Sequence, residues 1–80
     1  MIQMETQINQ VEVFKTNVND EILAKALIEQ LLARLPHCQI NFDLDDCDKI
    51  LRIKDFQVNP DLIIEILSAN GFQCEVLMDQ

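Results

Sequence analysis

Apolar and polar residues alternate in some stretches of this chain and recur with helical spacing in others, and this pattern predicts six elements. Alternation is typical of a strand with one buried face, whereas apolar residues three or four positions apart are typical of an amphipathic helix. The predicted elements are a strand at 11–16, a helix at 20–35, strands at 38–44 and 49–55, a helix that starts at Pro60, and a last strand with Cys74, Val76 and Met78. In so short a chain the order βαββαβ predicts an α+β, ferredoxin-like sandwich. We expect a four-stranded antiparallel sheet in the order 4-1-3-2, with both helices on one face.

The predicted helices are bounded by residues that favour helix ends. Asn19 is the predicted N-cap of the first helix, which Pro36 ends. The second helix has Asn59 as its predicted N-cap, Pro60 at its first position and Gly71 just past its end. The predicted buried faces are Ala24, Leu27, Ile28, Leu31 and Leu35, with Leu23 and Leu32 at the edges, and Leu62, Ile63, Ile66, Leu67 and Ala69.

Composition indicates one small folded domain. The 80 residues are 49% hydrophobic and 25% charged, which is typical of a folded chain. We expect residues 1–10 to be a flexible N-terminal segment and residues 11–78 to form a single domain. The chain lacks an apolar run of the roughly 20 residues that span a membrane, and its N-terminus lacks the pattern of an export signal. The three cysteines are an odd number with irregular spacing, so we expect a reducing, cytoplasmic setting and no disulfide framework.

The charge of the chain limits its partners. Fourteen acidic residues against six basic ones give a formal net charge of -8. A surface of this sign repels phosphate groups, which argues against nucleic acids and anionic membranes as partners.

Candidate catalytic chemistry is sparse, and we predict no enzyme activity. The chain has one histidine, one glycine, no tyrosine and no tryptophan. His37 and Cys38 are neighbours, and if both lie in one strand they point to opposite faces, so that neither can activate the other. The acidic run Asp43–Asp48 lacks the glycine of a calcium loop, and Lys54 stands where that loop needs a bidentate acid, which favours a solvated hairpin tip.

The cysteines also do not form an evident metal site. Cys38 and Cys74 follow the pattern of the buried strand positions, so we expect inert thiols, whereas Cys47 lies in a turn and is expected to be exposed. We expect the loop 17–20, Cys47 and residues 72–74 at one end of the domain. Cys47 and Cys74 would still be about 10–14 Å apart, which is too far for a shared ion.

Four stretches of the chain match motifs of one known family. Residues 14–19, Phe-Lys-Thr-Asn-Val-Asn, are similar to the start F-K-T-N-[IV]-N-C-x-x-C of a bacterial branch, and on this motif the chain resembles the heavy-metal-associated domain family of small copper-chaperone-like proteins. The supporting stretches are 41–44, 48–53 and 70–75, which are similar to the second strand, the third strand and the closing G-[FY]-x-A-E of the family. The resemblance covers residues 11–78 and implies a βαββαβ fold.

The two metal ligands of the family are absent from this chain. Asp20 and Leu23 stand where the family has the cysteines that bind a monovalent soft ion. A carboxylate is a hard donor and leucine donates nothing, so we predict no copper(I) binding at this loop and no cofactor. We expect Asp20 to cap or charge the first helical turn and Leu23 to fill the space under the loop. The alternatives are a hard-cation or water site at Asp20 and a thiol recruited from Cys74.

The resemblance implies docking against a protein with a similar domain, and the first hypothesis is a protein-interaction module that has lost its ion. Its predicted contact rim consists of Asn17, Val18, Asn19, Asp20 and Ile22. The alternative is a low-affinity metal-binding or transport protein that uses Cys74, Cys47 or His37. A third option, an amino-acid-binding regulatory module, lacks the glycine-containing loop expected for backbone approach to a small ligand.

Overall fold

The computed structural model describes residues 10–77, which form four strands and two helices in the predicted order. The segment 1–9 and Met78 lie outside the described residues, whereas Gln10, expected in the flexible segment, is the first residue of a strand. The elements are β1 (Gln10–Thr16), α1 (Glu21–Arg34), β2 (Gln39–Asp43), β3 (Ile50–Asp55), α2 (Pro60–Ala69) and β4 (Cys74–Val76).

The strands form one antiparallel sheet in the order β2-β3-β1-β4, which reads 4-1-3-2 from the β4 edge. Phe14 of β1 lies opposite Leu51 of β3 and Val76 of β4, so it is on an inner strand, and its side chain is fully buried. Phe14, Leu51 and Ile53 share a core with buried residues of both helices, which places α1 and α2 on the same face. The architecture is consistent with a ferredoxin-like fold.

The core is built from the predicted apolar stripes, except that three residues of those stripes are exposed, namely Leu23, Leu32 and Ala69. The helices bury the predicted residues at their centres, namely Ala24, Leu27 and Leu31 of α1 and Ile63, Ile66 and Leu67 of α2. Leu23 and Leu32 are exposed by 44% and 37%. Ala69 was predicted to face inward and is exposed, because it is the last residue of α2. Neither α1 nor α2, the helices found within residues 10–77, is long and apolar enough to cross a membrane.

The predicted start of α1 was one residue too early. Asp20, not Asn19, is the N-cap, because its Oδ1 accepts hydrogen bonds from the backbone N–H groups of Ile22 at 2.7 Å and Leu23 at 3.2 Å. A side-chain oxygen in this position satisfies donors that have no partner within the helix.

The predicted boundaries of α2 are confirmed. Asn59 caps the helix through Asp61, Pro60 is its first residue, and Gly71 follows with a φ of 86°, which favours glycine. Asn70, the C-cap, exchanges two side-chain hydrogen bonds with Gln30 of α1, of 3.1 and 3.0 Å, and also donates to the carbonyl of Ile66. These bonds join the end of α2 to the middle of α1.

Candidate functional site

Three connections meet at one end of the domain, as predicted; we refer to the loop 17–20, the hairpin turn 44–49 and residues 72–74 as the loop end. The backbone N–H of Thr16 donates to the carbonyl of Asp48 at 3.0 Å, and its hydroxyl donates to the carbonyl of Lys49 at 2.6 Å. The N–H of Gln73 donates to Oδ1 of Asn17 at 2.8 Å. The loop that precedes α1 is thereby tied to both the hairpin turn and the start of β4.

Val18 does not belong to the exposed rim that the sequence predicted. Its side chain has no exposed surface, and its N–H donates to the Thr16 hydroxyl at 3.1 Å. Val18 packs in the same core as Phe14 and Leu51. The loop therefore contributes Val18 to the interior, in the role expected of Leu23.

The residues at the family's two ligand positions do not fit a soft metal ion. The Asp20 carboxylate is a hard oxygen donor, and one of its oxygens already accepts the two N–H groups of the first helical turn. Leu23 offers only hydrocarbon, and it projects to solvent instead of filling the space under the loop, contrary to the prediction. The cap role predicted for Asp20 is confirmed.

The first turn of α1 presents two adjacent apolar side chains to solvent. Ile22 is 77% exposed, which confirms its predicted outward position, and Leu23 is 44% exposed. Asn17 and Asn19, the other predicted rim residues, are also exposed. We call Ile22 and Leu23 the α1 patch. Sequence reasoning had assigned Leu23 to the buried stripe, so it found only half of this patch.

The exposure predicted for the three cysteines is confirmed for two of them. Cys47 is exposed and Cys38 is buried, whereas Cys74, which was also expected to be buried, is half-buried. Burial, together with an S–H···O hydrogen bond of 3.3 Å to Asp55 and the charge of that carboxylate, raises the pKa of Cys38 to about 11. Burial and the nearby charge of Glu75 raise the pKa of Cys74 to about 12. Because thiolates are the metal-binding form, both shifts oppose metal binding near neutral pH.

The hairpin turn holds a small cluster of candidate ligands. Ligand atoms of Asp46, Cys47 and Asp48 lie within 4.8 Å of one another. However, Asp46 accepts a hydrogen bond from the Asp48 N–H at 2.8 Å, and Asp48 lies 3.9 Å from the Lys15 ammonium. Both carboxylates of the cluster therefore already have partners within the protein.

His37 cannot join the ligands of the hairpin turn. It is exposed before β2, whereas Cys47 follows β2. The five residues of β2 separate the two by about 17 Å. His37 and Cys47, which the sequence offered as ligands of one alternative function, do not bind the same ion within one chain.

A shallow groove beside α2 and β4 was not found from the sequence, because its walls come from four elements or connections. Its volume is about 440 Å³, and its lining includes Lys15, Ser68, Cys74 and Glu75. These side chains do not include a histidine or another base paired with a nucleophile, and the raised pKa of Cys74 keeps its thiol protonated. The groove therefore carries no catalytic arrangement among its lining residues.

Comparisons with protein-family models, curated proteins and solved structures find no match to this chain. The likeness to the heavy-metal-associated family rests on the motifs at 14–19, 41–44, 48–53 and 70–75 alone.

Proposed function

We propose that this chain is a non-enzymatic protein-interaction module of heavy-metal-associated ancestry that docks through the first turn of α1 and binds no soft metal ion there. The observation that carries this proposal is the α1 patch. Ile22 and Leu23 expose apolar surface at the position where the family would bind its ion.

The α1 patch is suited to docking because its backbone is held in place. Asp20 accepts hydrogen bonds from the N–H groups of both patch residues, and Asn17 fixes the preceding loop to residue 73. A rigid surface loses less conformational entropy on binding. Full burial of an aliphatic side chain contributes about 1.5–3 kcal/mol, so the two residues supply a small but useful contact.

The partner that fits this surface is a domain of similar fold with an apolar patch and basic groups around it. Asp20 and Glu21 flank the α1 patch, and the chain carries a net charge of -8. Complementary charge accelerates association and selects among partners more than it increases affinity. We therefore expect association to slow as ionic strength rises.

Quantitative capture with three baits tests the proposal: the unmodified chain, Ile22→Asp and Leu32→Asp. Leu32 is the matched control, because it is a 37% exposed leucine near the other end of the same helix. A partner captured by the unmodified chain and by Leu32→Asp, but lost with Ile22→Asp, supports docking at the α1 patch. Equal capture by all three baits, or capture of no specific partner, contradicts it. Val18→Asp is unsuitable because it places a charge in the core.

A second candidate function is low-affinity metal binding at the hairpin turn, favoured by the proximity of Asp46, Cys47 and Asp48. Titration of the reduced chain with zinc, and with silver(I) in the presence of excess competing monothiol, separates the two candidates, because a single exposed thiol such as Cys47 takes up silver(I) without any built site. Stoichiometric binding that survives the competitor, is lost in Cys47→Ser and is kept in Cys74→Ser would favour the second function. The first predicts no zinc binding and no silver(I) binding that survives the competitor.

A further inference from the structure

The strand β2 is an edge of the sheet with few of the features that prevent edge pairing. It is hydrogen-bonded to β3 on one side only and runs for five residues, Gln-Ile-Asn-Phe-Asp. Edge strands are commonly protected by a proline, an inward charge, a bulge or a lysine. β2 contains no proline or lysine, and its register with β3 is continuous from Gln39 to Asp43. By contrast, the opposite edge, β4, is only three residues long.

We propose that β2 pairs with β2 of a second copy, antiparallel and about a two-fold axis at Asn41. In this register Gln39 lies opposite the partner's Asp43, and Ile40 lies opposite the partner's Phe42. All five residues of β2 are then paired, which no other antiparallel register achieves. The two four-stranded sheets become one continuous sheet, and the interface is isologous.

On the helix-covered face, this register brings half-buried apolar residues together. Ile40 and Phe42 share that face and are both only partly buried in the single chain. Phe42 also lines a groove of about 370 Å³ between α1 and the end of β2, with Ala24, Ile28 and Leu44. The partner's Ile40 lies beside Phe42 at this groove and covers apolar surface that one copy leaves open.

On the opposite face, the same register forms two ion pairs. Gln39 is the register partner of Lys54 on β3, so the partner's Asp43 lies two strand spacings, about 10 Å, from Lys54. Extended lysine and aspartate side chains together span this distance. Lys54 is exposed, and among residues 10–77 it forms no ion pair within one chain. The two-fold axis repeats the pair, so both copies have complementary charges at the edge.

The dimer is expected to be weak. Five paired residues make a small interface, and two chains of charge -8 repel each other. We expect a monomer–dimer equilibrium in the micromolar to millimolar range at physiological ionic strength. Ile22 and Leu23 do not line the groove beside Phe42, so Ile22→Asp is expected to leave the dimer unchanged.

A charge-swap series measured by sedimentation equilibrium tests the ion pairs. The unmodified chain is expected to approach twice its 9.3 kDa mass with increasing concentration. Asp43→Lys and Lys54→Asp each weaken the dimer about tenfold or more, and the double variant recovers most of the loss. Glu65→Lys and Lys15→Asp repeat the charge changes on exposed residues of α2 and β1 and keep the dimer. A monomeric unmodified chain at all concentrations, or a double variant no better than the single ones, overturns the proposal.

Disulfide cross-linking tests the register without the charge variants. In a Cys47→Ser background, Asn41→Cys places two thiols opposite each other on the two-fold axis. Gln39→Cys, on the same strand and face, places them about 14 Å apart. We expect mild oxidation to cross-link Asn41→Cys and not Gln39→Cys. Equal cross-linking of the two variants, or none in either, refutes the register.

Discussion

The hydrogen bonds that hold the loop end together can be tested most directly at the hydroxyl of Thr16. Thr16 is buried, and its hydroxyl donates to the carbonyl of Lys49 at 2.6 Å while accepting from the N–H of Val18 at 3.1 Å. Lys49 has a φ of 47°, which non-glycine residues adopt infrequently. One side chain thus joins β1 to the hairpin turn and holds the loop before α1. Thr16→Val removes both hydrogen bonds and conserves the shape.

The expected loss of stability follows from the two bonds. The buried N–H of Val18 loses its acceptor, which costs about 1–3 kcal/mol, and the bond to Lys49 contributes about 1 kcal/mol. Thr16→Val is therefore expected to lower the free energy of unfolding by about 2–4 kcal/mol. A domain of this size has a total stability of roughly 4–12 kcal/mol, so the change is readily measured. Thr16→Ser keeps both bonds and loses one methyl group, at a cost of about 1 kcal/mol.

Urea unfolding followed by circular dichroism measures both variants, with an unchanged slope as the check on two-state behaviour. Amide hydrogen exchange at Val18 should accelerate in Thr16→Val and stay slow in Thr16→Ser. The reasoning is wrong if Thr16→Val loses less stability than Thr16→Ser, or if both variants remain within about 0.5 kcal/mol of the unmodified chain.

Three further predictions concern the cap, the missing ligands and the thiols. Asp20→Ala should cost about 1 kcal/mol in urea unfolding, because two N–H groups lose their acceptor, whereas alanine at the preceding asparagine should have little effect. The double variant Asp20→Cys with Leu23→Cys should gain one silver(I) per chain that is retained against excess competing monothiol, and neither single variant should retain one. In iodoacetamide labelling at pH 8, Cys47 should react first, because Cys38 and Cys74 have pKa values of about 11 and 12. Since both pKa values exceed the ordinary 9.0, the folded chain keeps these two protons where the unfolded chain loses them. The stability measured by urea midpoint should therefore be unaffected by these thiols below pH 9.0 and should fall as the pH rises from about 9 to about 12.

Sequence patterns predicted the elements well, because apolar residues recur at every second position in a strand with one buried face and at every third or fourth position in a helix. The boundaries of α2 were predictable, since Asn59, Pro60 and Gly71 each have a conformational reason to stand there. The start of α1 was not, because Asn19 and Asp20 are both capping residues and only the loop geometry selects between them.

The candidate site was predicted less completely, because loop residues show no repeating pattern of apolar and polar positions from which their burial could be predicted. Val18 looked like an exposed loop residue, and its burial depends on the fold of residues 16–20 over the core. Leu23 lies at the edge of the helical stripe in sequence, and α1 buries Ala24, Leu27 and Leu31 at the centre of that stripe while Leu23 stays 44% exposed. The role of Thr16 requires the register that brings Lys49 beside it, 33 positions away in the chain.

The two side-chain hydrogen bonds between Asn70 and Gln30 make position 70 sensitive to the chemical group of its side chain, even when the size of the side chain is unchanged. Asn70 needs its NH₂ group to donate to Gln30 and to the carbonyl of Ile66. An aspartate there would have the same shape but could donate neither bond. It would also add a negative charge where the dipole of α2 is already negative. Conversion of this single amide to an acid, as in the ageing of a protein sample, would therefore loosen the contact between the two helices although the outline of the side chain stays the same.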